Sequence, residues 1–68
     1  MKINSFQINA QLARKNMTRI ELAKKSGILP QNISTIINRG SCEPRTAGKI
    51  ARALNVDVED LIVKEGVS

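Results

Sequence analysis

Residues 18–38, TRIELAKKSGILPQNISTIIN, leave the chain few ways to fold. Apolar residues stand at Ile20, Leu22 and Ala23 in the first half and at Ile28, Ile33, Ile36 and Ile37 in the second. Ile33, Ile36 and Ile37 keep an i, i+3, i+4 spacing, which gives one face of a helix an apolar stripe. Gly27 stands between the halves, where the chain must turn, and glycine enters a left-handed turn cheaply because it has no Cβ. Ala23, four residues earlier, is small enough to let a second helix cross closely over the first. Two short helices joined in this way make a helix-turn-helix. The bland alternative is an ordinary helical hairpin within a bundle.

Local signals set the other boundaries. Thr18 and Glu21 form a capping box, so a helix is predicted over residues 19–26. Pro30 suits the first position of the next helix, predicted from 30 to 37 or 38, because its missing N–H costs nothing there. Ser5 is the expected cap of a first helix over 6–15. Phe6, Ala10, Ala13 and Met17 track one side of it, Ile8 and Leu12 widen that side, and residues 1–4 read as a loose lead-in. Gly40 is expected to close the third helix and open a loop over 39–45. Thr46 can cap a fourth helix over 47–54, with Glu43 before Pro44 as an alternative start. Ile50 and Leu54 then face the core, and Lys49 and Arg52 face water. Gly48 is a poor helix former; its missing side chain would permit close packing, which the sequence alone does not establish. Asn55 can end that helix, and Asp57 with Asp60 is expected to cap a fifth over 58–63. The predicted fold is all-α: a compact five-helix domain spanning 1–68, with a core over about 5–63 and short flexible ends.

Sixty-eight residues bury a modest fraction of their surface, and oligomerisation is a common remedy for the marginal stability that follows. Phe6 is the single aromatic residue, so the core must come from Ile, Leu, Val and Ala. Charge is uneven. Residues 1–52 hold ten basic and two acidic side chains, a net of +8, whereas 53–68 hold one basic and four acidic, a net of −3. A basic face for a polyanion and a separate end for a partner subunit account for this better than an evenly solvated surface. Cys42 is the single cysteine and there is no histidine, so no intrachain disulfide, metal site or cofactor is expected, and a reducing cytoplasm fits. MKINSFQINA contains no long apolar run, so neither a signal peptide nor a membrane span is expected.

The cap Thr18, Leu22-Ala23, Gly27-Ile28, Gln31, Ile33-Ser34, Ile36 and Asn38, followed by KIARALNVDVEDLI, resemble the Cro- and repressor-type helix-turn-helix family, also called the XRE family. The resemblance covers roughly residues 6–62. It implies the lambda-repressor-like fold and sequence-specific binding of double-stranded DNA by the third helix. Outward residues on that helix are Pro30, Gln31, Asn32, Ser34, Thr35 and Asn38. The amides of Gln31 and Asn32 can bond bidentately to an adenine edge, and Thr35 can offer a methyl to thymine or a hydroxyl to either pair. Pro30 falls on a position that often reads a base in the family, where its contact could only be apolar. The resemblance further implies backbone contacts for Thr18, Ser34, Asn38 and Arg39, and for Arg19, which replaces a glutamine common in relatives and whose charge opposes the helix dipole. Arg45, after Pro44, falls where phage repressors send an arginine into the minor groove. Two departures stand out. Leu29 occupies a usual Ser or Thr cap position and cannot cap. Leu12 and Ile37 fall where relatives carry an arginine–glutamate pair, and are expected to pack together in its place.

The expectation is a transcription regulator, a repressor in the first instance, acting as a homodimer, weak off DNA, on a near-palindromic operator. The spare aliphatic residues Val58, Ile62, Val63 and Val67 are its expected interface. No small-molecule ligand and no membrane contact are expected. The alternative is an antitoxin or small protein-interaction adaptor on the same fold. An enzyme is excluded by the absence of histidine, of a nucleophile–base pair and of a phosphate-binding glycine loop. A single-strand RNA binder lacks its aromatic stacking platforms.

Overall fold

The computed structural model describes residues 1–63. Four helices follow one another: α1 (Ser5–Arg14), α2 (Arg19–Ser26), α3 (Pro30–Arg39) and α4 (Pro44–Leu54). A single 3-10 turn, Val58–Asp60, stands where the fifth helix is expected. Its cause is tertiary. Beyond Leu61 the chain is drawn out to pair with the N-terminus, the N–H of Asn4 donating to Leu61 O and that of Val63 to Lys2 O. Asp57 caps the turn by accepting from the N–H of Glu59, not in a reciprocal box with Asp60.

The N-terminal residues are not a loose lead-in. The N–H of Ile3 donates to Gly40 O and that of Cys42 to Met1 O, so residues 1–4 lie between the α3–α4 loop and residues 61–63. Ile3 is buried among the core residues, 4% exposed. Gly40 takes the left-handed conformation that ends α3, and a Cβ there would stand 3.6 Å from the carbonyl of Ile3.

The first helix is capped by Asn4, whose side chain accepts from the N–H of Gln7. Ser5, the expected cap, donates its hydroxyl to Ile37 O at 2.6 Å and ties the start of α1 to the third helix. The inward face of α1 is Ile8, Gln11 and Leu12, whereas Phe6 is 77% exposed. Helix α2 starts on the expected capping box and ends on left-handed Gly27, with Ala23 buried and its carbonyl accepting from Gly27 and Ile28. Helix α4 starts at Pro44 with Glu43 before it, one turn ahead of Thr46, and ends on left-handed Asn55. Gly48 is not a point of close packing, since a Cβ there would meet nothing within 4 Å. Ile8, Leu22, Ile33, Ile50, Leu54 and Leu61 form the fully buried centre. Leu12 and Ile37 are buried in the same cluster.

Candidate nucleic-acid interface

The head of α2 is built by its cap. Thr18 Oγ1 accepts from the N–H of Glu21 at 3.1 Å, while Glu21 Oε1 accepts from the N–H and the hydroxyl of Thr18. The hydroxyl of Thr18 is thus committed to the cap, and a phosphate would compete for it. Arg19 follows, half-buried, in the first turn. The first N–H groups of a helix have no partner within it and carry partial positive charge. An arginine there raises the local potential further.

Helix α3 buries Ile33, Ile36 and Ile37 and turns Pro30, Gln31, Asn32, Thr35, Asn38 and Arg39 outward, with Ser34 half-buried. The outward set is what the buried isoleucines leave on a helix of 3.6 residues per turn. Thr35, exposed on this face, donates its hydroxyl to Gln31 O at 2.9 Å, so the hydroxyl hydrogen is already engaged. The helix runs on to Arg39, which belongs to its last turn and not to the loop; a cation there suits the negative helix end. Leu29 stands at the N-cap without a capping bond and is 60% exposed. An open groove of about 450 Å³ separates α3 from α4, with Leu29, Asn32, Thr35 and Arg39 on one wall and Thr46 and Lys49 on the other.

Residues 7–65 match the family model of the Cro/C1-type helix-turn-helix DNA-binding domain. The chain belongs to this family. Its typical members are non-enzymatic. The solved structure of native PhpD with cadmium atoms resembles it in fold, with a TM-score of 0.81 at 19% identity, over 98% of this chain and 15% of the PhpD chain. The chain therefore spans about a seventh of that protein's length. No match was found among curated proteins. Among the described residues no helix is long and apolar enough to cross a membrane.

In this Cro/C1-type domain Arg45 is exposed at the second position of α4. Its place on a helix follows from the early start at Pro44. Arg45, Lys49 and Arg52 then share an i, i+4, i+7 stripe of exposed cations. Lys49 was legible only as a solvated residue; the groove makes it a neighbour of α3. Cys42 lies in the groove wall, half-buried. Burial pushes its thiol up, the N-terminal ammonium pulls it partly back, and Glu43 adds a further upward push. It is therefore a protonated thiol at neutral pH and a poor nucleophile. At the other end, Val58 and Ile62 are half-buried against the core, and Val63 is 44% exposed. Val67 lies outside the described residues.

Proposed function

We propose that this chain is a cytoplasmic, sequence-specific regulator of transcription that represses by laying α3 in the major groove of an operator. Gln31, Asn32 and Thr35 read base edges, with Pro30 as an apolar contact. Arg19, Ser34, Asn38, Arg39 and Thr18 hold the phosphate backbone, and Arg45 reaches the adjacent minor groove. A second copy occupies the other half of a near-palindromic site through Val63 and its neighbours, which doubles the contacts that one small domain can make.

The observation that carries this reading is the pairing of an amide-bearing exposed face on α3 with cations placed against the helix dipoles. Arg19 and Arg45 each sit in the first turn of a helix. Positive charge there destabilises the free helix by a few tenths of a kcal/mol up to about 1 kcal/mol. That cost is offset when a phosphate joins the site, since anions favour helix N-termini.

Selection from a random duplex library tests it. The parent should enrich one motif. Gln31→Ala should lower discrimination at one base pair by about 1–3 kcal/mol. Arg19→Ala should weaken all sequences alike and flatten the salt dependence of binding. An unchanged motif for Gln31→Ala refutes the base-reading assignment, and the absence of any motif refutes sequence-specific binding.

A further inference from the structure

Leu29 is costly where it stands. It occupies an N-cap, where a hydroxyl or carboxylate would accept from the helix N–H groups, and it makes no capping bond. It also leaves a large apolar side chain 60% exposed at the head of α3. Leu29 belongs neither to the buried cluster nor to the partly buried residues packed against it. Its neighbour Pro30 is exposed and equally without a hydrogen-bonding group. Further along the same groove wall, exposed Thr35 donates its hydroxyl to Gln31 O, so its γ-methyl is the side chain's one group without a bond to make. Asn32, between the two in sequence, lines the same groove.

We propose that Leu29 and the methyl of Thr35 read the 5-methyl groups of thymines, on either side of an adenine contact made by Asn32. The proposal rests on the DNA-binding reading above and names the bases that reading would find. In the major groove thymine alone of the four bases projects a methyl group, and apolar side chains recognise it. Leu29, the N-cap, and Thr35 are six residues apart, about 9 Å along the axis at the helical rise. That span covers roughly two to three base-pair steps of 3.4 Å. An amide placed within it suits an adenine N6/N7 edge. Arg39 and Lys49 at the flanks of the groove supply positive charge for the backbone on either side. The preferred half-site is thus rich in A·T pairs, and its thymines are recognised through methyl groups as well as through their pairing.

The experiment takes the duplex selected by the parent protein and replaces each thymine in turn with deoxyuridine, which lacks the 5-methyl group and keeps every hydrogen-bonding atom. Affinities are measured for the parent, Leu29→Ser and Thr35→Ser. At least one replacement should weaken the parent about four-fold, the fold-change that corresponds to ~0.8 kcal/mol for one buried methyl-sized group. In Leu29→Ser that uridine effect should vanish while the melting temperature rises, because serine supplies the missing cap. A purely structural role for Leu29 predicts no change in uridine sensitivity. A second sensitive thymine should lose its effect in Thr35→Ser, which keeps the hydroxyl bond and removes only the methyl. If the parent selects a motif but no uridine alters its affinity, or if the effect is undiminished in both variants, the methyl-reading proposal fails and DNA binding stands. If the parent selects no motif, both fall together.

Discussion

Ile3 and Phe6 exchange the roles that their positions suggest, and one pair of substitutions tests that exchange. Ile3 is 4% exposed and belongs to the core cluster; Phe6 is 77% exposed on α1. Truncating a buried isoleucine to alanine costs about 2–5 kcal/mol, because lost transfer energy and an incompletely collapsed cavity add. A chain of this length has a total stability of about 3–10 kcal/mol on the usual per-residue scale. Ile3→Ala should therefore remove a large share of it. Alanine keeps the N–H that donates to Gly40 O, so the loss reports side-chain packing and not the strand-like pairing. In a domain of this size each kcal/mol moves the melting temperature by about 4–8 °C, so the fall should be at least about 8 °C. Phe6→Ala should stay within about 0.5 kcal/mol of the parent, as surface substitutions do. The chain has no Trp or Tyr, so the assay is thermal unfolding followed by far-ultraviolet circular dichroism. A fall of less than about 2 °C for Ile3→Ala, or a larger fall for Phe6→Ala than for Ile3→Ala, refutes the placement of the N-terminal segment in the core.

Leu12→Ala should cost about 2–5 kcal/mol in the same assay, since Leu12 and Ile37 are both buried in the core cluster; a melting temperature equal to the parent's would rule out the packed pair. Gly48→Ala should raise stability by about 0.5–1 kcal/mol, because the helical position has room for a Cβ and alanine restricts the unfolded chain; a lower melting temperature would show that the space is needed. Stoichiometry on duplexes with one and two half-sites, about 34 Å apart on one DNA face, checks the second copy. The parent should bind the double site far more tightly, and Val63→Asp should abolish that advantage while still melting cooperatively; equal affinities for the parent on both duplexes would refute the dimer.

What the sequence made legible was local. The Thr18–Glu21 box, the left-handed Gly27, Gly40 and Asn55, and the proline start of α3 each depend on residues within a turn of one another. So did the outward face of α3, which follows from three isoleucines. What escaped depends on distant partners. Ser5 has the chemistry of a cap, but its hydroxyl goes to Ile37, 32 residues on. The inward face of α1 keeps Ile8 and Leu12 as expected but includes polar Gln11 and excludes Phe6, so hydrophobicity alone misplaces the centre of that face. Two isolated bridges, Lys2 with Ser41 and Ile3 with Ile62, are too short to leave an alternating pattern. At the candidate interface the same division holds. Gln31 and Asn32 are exposed as their spacing requires, whereas the groove that sets Lys49 opposite α3 exists only once the loop between the helices is folded.

That loop links the two ends of the described chain. Met1 and Ile3 use their backbone groups toward residues 40 and 42, and Lys2 and Asn4 use theirs toward 61 and 63. Residues 1–4 are thus the middle of three antiparallel segments, and one outer segment is the α3–α4 loop that follows Arg39 and precedes Arg45. A substitution that frees residues 61–63 removes support from residues 1–4, and through them from the loop, without touching α3. Ile62 packs against the core and pairs with Ile3. Loss of DNA affinity on changing Ile62 to a charged residue therefore has a route that involves no second copy. Val63 donates its backbone N–H to the same pairing but leaves much of its side chain in solvent. Replacing that side chain keeps the N–H and disturbs a more exposed residue than the half-buried Ile62, which is why the test of a dimer belongs on Val63 and not on Ile62.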